Sequence, residues 1–103
     1  MDVAVSKNKV PIRLTQERWH HISTGHPEIA GYYYEILETI ESPSRIYEGT
    51  RNEYIAVSGK QEQSGKFIVV IYKETGLLDG FIITAFISNK KQEFDKKKLL
   101  WKQ

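Results

Sequence analysis

The chain has 103 residues, 40% of them apolar and 12% aromatic, which suits one domain with an ordinary interior and leaves no room for a second core. Fifteen Lys and Arg against thirteen Asp and Glu give a net charge of +2, too even a balance to name a partner, and the absence of cysteine excludes disulfides, thiolate nucleophiles and cysteine zinc sites. No apolar run approaches the length of a bilayer span, and the N-terminus lacks the basic-then-apolar pattern of a signal peptide, so the expectation is a cytoplasmic protein without a membrane partner.

Residues 1–9 read as a flexible polar lead, followed by a single domain over 10–103. Val10–Leu14 looks extended and tolerates Pro11 as an edge strand. Thr15 is a good N-cap, Glu17 suits the first turn, and Leu14 with Trp19 matches a hydrophobic staple, so the first helix is expected over Gln16–Thr24 with Gly25 as its stop. His26-Pro27-Glu28 should open a second helix, because proline is pre-organised for a first turn. Ile29, Tyr33, Ile36, Leu37 and Ile40 then form one apolar stripe, Glu28, Glu35 and Glu38 an acidic face, and Ser42-Pro43 the end. An acidic outer face repels nucleic acid.

From Arg45 the period becomes two. Arg45–Glu48 and Glu53–Ser58 read as short strands, Gly59–Gly65 as a polar turn, and Lys66–Lys73 as a central strand, apolar on both faces. Phe81–Ser88 is the last long strand: Phe81, Ile83, Ala85 and Ile87 should lie beneath the helices, with Ile82, Thr84, Phe86 and Ser88 on a mixed face. Residues 89–103 carry six lysines against Glu93 and Asp95, and this basic tail reads either as a solvated tail or as a phosphate contact. Together these elements predict an α+β fold, two N-terminal helices on one face of a roughly four-stranded antiparallel sheet.

Chemistry concentrates in three histidines, His20, His21 and His26. Their spacing, with Gly25 between them and no cysteine, does not suit a metal site, and no cofactor is expected. Each also has a structural reading: His20 exposed, His26 bonding the turn, His21 a surface imidazole. Thr84 and Ser88 fall on the mixed strand face, and Arg45 and Tyr47 share a parity. Arg45, Arg51 and Lys73 are candidate phosphate ligands near strand ends, and Tyr72 a candidate for base stacking or plain packing.

The run Leu14-Thr15-Gln16-Glu17-Arg18-Trp19-His20-His21-Ile22, then Gly25-His26-Pro27-Glu28-Ile29, together with Ile40-Glu41-Ser42-Pro43, Phe67–Tyr72 and Phe81-Ile82-Ile83-Thr84-Ala85-Phe86, resembles the phage-associated branch of the superfamily that unites barnase, the EndoU enzymes, colicin-type tRNA nucleases and RelE toxins, the BECR fold. The resemblance covers about residues 10–101. It implies a metal-independent ribonuclease of toxin or phage-associated type, in which a ribose 2′-hydroxyl attacks its own phosphate. It further implies RNA, such as tRNA, as a partner and a cognate antitoxin or immunity protein. Carried over by position, His21 serves as base or acid, Thr84 as hydroxyl donor to the phosphate and His26 as a second catalytic or turn-organising group. Arg45, Tyr47, Lys73 and Ser88 are the expected substrate contacts. The competing expectation is a non-catalytic RNA- or protein-binding module that keeps the fold.

Overall fold

The computed structural model describes residues 1–59 and 65–103, and of Lys91 the backbone alone. The central part of the turn expected over Gly59–Gly65 therefore lies outside the described residues. Among these, seven strands form one sheet: β1 (Asp2–Val5), β2 (Pro11–Leu14), β3 (Arg45–Glu48), β4 (Tyr54–Val57), β5 (Phe67–Glu74), β6 (Gly80–Ser88) and β7 (Leu99–Lys102), in the order β1-β2-β6-β5-β4-β3-β7. Two α-helices, α1 (Gln16–Gly25) and α2 (Tyr33–Glu41), follow β2.

The class is α+β, but the expected four-stranded antiparallel sheet is not what forms. The sheet is mixed, because β2 and β6 run parallel, and the helices are not N-terminal, because β1 and β2 precede them. Asp2–Val5 belongs to β1 instead of a flexible lead, antiparallel to β2, with Ala4 completely buried. The basic tail is likewise built into the fold: a short 3₁₀ turn (Lys91–Phe94) is followed by β7, antiparallel to β3.

The helices form where local chemistry favours them. The Thr15 hydroxyl accepts from the Arg18 amide at 3.1 Å and starts α1. His26-Pro27-Glu28 does not open the second helix. Pro27–Ile29 makes one 3₁₀ turn, Ala30 and Gly31 break the chain's helical course, and α2 begins at Tyr33. Glycine in a helix interior costs about 1 kcal/mol against alanine, and the apolar stripe survives the break because Ile29, Ile36 and Ile40 are still fully buried.

The helices cover one face of the sheet. Ile22, Ile29, Ile36 and Ile40 pack there against Ile12, Leu14, Ile68, Val70, Tyr72, Ile82 and Ala85. Trp19 and Tyr33 join α1 to α2 edge to face, 5.1 Å between ring centroids. The opposite face carries a second apolar cluster of Tyr47, Ile55, Val57, Phe67 and Val69, closed by Phe94 from the 3₁₀ turn. β5 is thus buried on both sides, as its sequence requires.

A bulge in β6 overturns the expected division of its faces. Ile71 pairs with Thr84 and Tyr72 with Ile82, so Ile83 is left over. Ile82, not Ile83, lies with Ala85 beneath the helices, while Phe81 shares a face with Arg13 and Lys73. Parallel pairing between β2 and β6 covers just Ile12–Gly80 and Arg13–Phe81. Past that point α1 and the Pro27–Ile29 turn pack on β6, and the Arg18 guanidinium donates to the Ile83 carbonyl at 3.3 Å.

Candidate functional site

Three sizeable hollows surround β6 and the second apolar cluster, and the expected site residues are divided among them. The first, about 540 Å³, runs along α1 beside the start of β6 and is lined by Arg13, Arg18, Glu17, His20, His21 and Thr24, among others. Helical geometry brings these together, since positions 17, 20, 21 and 24 are three and four apart. Its positive charge is largely committed. Asp79 takes two 2.9 Å hydrogen bonds from the Arg13 guanidinium, which hold its carboxyl below the usual carboxylate range, and Arg18 is turned toward Ile83. With Glu17 also present, the two imidazoles stand beside a nearly cancelled field.

The second hollow, about 570 Å³, lies at the other end of β6. Phe86, Ser88, Lys66, Lys90, Glu28 and Glu93 are among its lining residues. His26 stands at its edge. The imidazole contacts the Phe86 ring at 5.6 Å between centroids, and its Nδ1 lies 3.6 Å from Glu28 Oε2. Both of those neighbours line the hollow. A carboxylate beside one ring nitrogen, with the other nitrogen left for substrate, is the arrangement that orients a catalytic imidazole. The Ser88 hydroxyl oxygen accepts from the Lys90 amide at 3.1 Å, so its own O–H is available to donate.

The third hollow, about 410 Å³, is bounded by Arg45, Tyr47, Lys66, Phe67, Phe94 and Lys102, with Asp95 and Ser44 nearby. Tyr47 and Phe94 stack at 5.3 Å and Phe67 meets Phe94 edge-on, so the apolar wall is rigid. Lys66 lines this hollow and the second alike.

Among the seven expected residues, the structure gathers His26 and Ser88 around the second hollow and Arg45 and Tyr47 around the third, adjoining at Lys66. Thr84 is half-buried and pairs with Ile71, two residues along β6 from Phe86 on the same face, but lines none of the three hollows. His21 belongs to the α1 groove with His20 and does not share a hollow with Ser88. Lys73 pairs with Phe81 at the far end of β5, roughly 20 Å along the strand from Phe67, and stands apart. Sequence reasoning did not weigh Glu28 or Lys66 as site residues, and it considered Lys90 only as part of the basic tail. Glu28 lay in plain view two residues after His26, and the two meet because His26 sits outside the Pro27–Ile29 turn, at its N-cap, with non-helical backbone angles.

Among the described residues no group of three potential metal ligands comes together. Among the same residues no helix is long and apolar enough to cross a membrane. No protein-family model matches the chain, and neither the curated proteins nor the solved structures contain a match.

Proposed function

We propose that the protein binds RNA on the sheet face away from the helices and cleaves it without a metal, in the cytoplasm, with His26 at the reacting centre. The observation that carries this reading is the His26 imidazole, flanked by Glu28 at 3.6 Å and seated on Phe86 beside Ser88, Lys66 and Lys90. His26 Nε2 takes the proton of a ribose 2′-hydroxyl, and the oxygen attacks the adjacent phosphorus. Ser88 O–H and the two ammonium groups offset the charge that builds on the phosphorane oxygens. The 5′-oxygen leaves with a proton from Lys66 or Lys90, and a 2′,3′-cyclic phosphate remains. The resemblance to metal-independent ribonucleases agrees with this chemistry. It carries His21 as acid or base, whereas the geometry favours His26.

The test is cleavage of total RNA in EDTA, with the ends mapped. Cyclic-phosphate ends from the wild-type protein, reduced by at least about a hundredfold in His26→Ala and retained in His21→Ala, are the expected result. Folded protein that binds RNA and leaves it intact would instead make the domain a binding module. Activity lost in His21→Ala and kept in His26→Ala would move the reacting centre to the α1 groove.

A further inference from the structure

We infer that the α1 groove is a nucleobase subsite, in which the guanidinium plane of Arg13, backed by Phe81, stacks on a base of the same RNA strand a few nucleotides from the cleaved linkage. The inference rests on the reading above and extends it to a different hollow, so that the substrate is single-stranded and longer than a dinucleotide.

The groove is ill suited to phosphate and well suited to a flat, uncharged ring. Asp79 takes two 2.9 Å hydrogen bonds from Arg13, and Glu17 sets a carboxylate in the same lining as Arg18. A pair that cancels at short range leaves little field to draw a phosphate. What it leaves is a fixed plane. The Thr75 hydroxyl lies 3.1 Å from the Asp79 carbonyl and 3.2 Å from its carboxylate, which in turn grips the guanidinium at Nε and Nη2. The Phe81 ring lies beneath, its centroid 5.7 Å from Arg13 Cζ. Arg13 is still 38% exposed, and both side chains line the groove, whose 540 Å³ has room for a base. Guanidinium planes and aromatic rings are the surfaces on which unpaired bases stack, and such stacking needs no surplus charge.

Register ties the groove to the reacting centre. Lys73 pairs with Phe81 and Val69 with Phe86, and residues four apart on β5 share a face. Phe81 and Phe86 therefore look out from one face of β6, roughly 14 Å apart along the strand. Ile71 and Thr84, paired and half-buried, lie between them on that face. An RNA strand whose reacting phosphate sits beside His26 can run past Thr84 and lay a base on Arg13. A dinucleotide has one base on each side of that phosphate and does not reach. A duplex keeps its bases stacked inside the helix, closed to Arg13.

The test uses a decadeoxynucleotide with a single ribose at its centre, so that one linkage is cleavable, and moves one abasic residue along it. With the wild type, an abasic residue at one position beyond those flanking the cleaved linkage should lower kcat/KM by about fivefold or more. Arg13→Lys keeps the charge and removes the plane. It should show the same loss on the intact decanucleotide, no further loss at that abasic position, and a dinucleotide rate within about twofold of the wild type. Phe81→Leu should repeat the pattern, and melting curves confirm that both variants fold. An abasic effect confined to the flanking residues overturns the subsite in the wild type alone. So does an Arg13→Lys loss that is equal on intact, abasic and dinucleotide substrates. If the wild type cleaves neither length, the proposed chemistry fails on its own. Anisotropy with a labelled decadeoxynucleotide then decides the subsite: weaker binding in Arg13→Lys than in the wild type supports it, and equal binding or none refutes it.

Discussion

A side chain at position 80 would meet Ile12 Cδ1 at 2.5 Å and the Lys73 carbonyl at 2.6 Å, because β2 and β6 run parallel and close there. Gly80→Ala should therefore destabilise the protein by about 1–3 kcal/mol, read from the midpoint of urea unfolding, even though it adds a single methyl group. Tyr33 is a second single-residue device. Its hydroxyl donates to Asp2 at 2.6 Å and ties β1 to α2, and burial, aided by Asp2, pushes the phenol up to about 12. The folded state thus favours the neutral phenol. The contribution is complete below the ordinary phenol range near pH 10 and is lost as pH rises toward 12. Tyr33→Phe should flatten the decline in stability between those values, measured by urea unfolding at several pH values. The sequence displayed the candidate imidazoles plainly at this scale. What chose among them was the partner, since only the fold places Phe86 against His26 and leaves His21 beside Arg18.

Elements with strong local signals were legible: the Thr15 cap, the apolar stripe ending at Ile40, the short strands β3 and β4, and the two-sided apolar run of β5. Those whose identity depends on distant partners were not. β1 and β7 are four residues each, with a single buried alanine in one and no fully buried side chain in the other, and such short runs carry too little periodicity to be told from loop. The β6 bulge escaped notice for a related reason, because every residue from Phe81 to Ile83 is apolar and the run fits either register. Folding the basic tail into the sheet changes how it can be tested. Phe94 is 6% exposed and closes the second apolar cluster, so Phe94→Ala should cost about 3–5 kcal/mol and release β7 along with it. Hydrogen exchange would show this as lost protection at Glu48 and Gln103, whose amides bond to Lys98 and Ser44. Deleting residues 90–103 would remove a strand and a core side chain together, and loss of RNA binding in that variant would report unfolding.

At the scale of the whole molecule, the two ends of the strand order approach one another. Lys7, in the β1–β2 turn, lies 5.0 Å from the centroid of the Trp101 ring on β7, and Ser6 and Asn8 of the same turn hold Glu74 at 2.6 and 3.0 Å. The helices pack on one face of this curled sheet, and Phe94 with the hollow of Arg45 and Lys102 occupies the other. This arrangement puts His26, Ser88, Arg45 and Tyr47 around hollows that share Lys66, although sixty-two residues separate His26 from Ser88 in the chain. Parity along β3 and β6 pointed to that face. The curl and the bulge, both products of long-range pairing, decided which imidazole stands at its edge. The most direct measurement is the amide and imidazole NMR spectrum during titration with a uridine monophosphate. The account predicts shifts centred on His26, Phe86, Ser88 and Lys66. Shifts confined to His20, His21 and Arg18, with His26 unmoved, would contradict it.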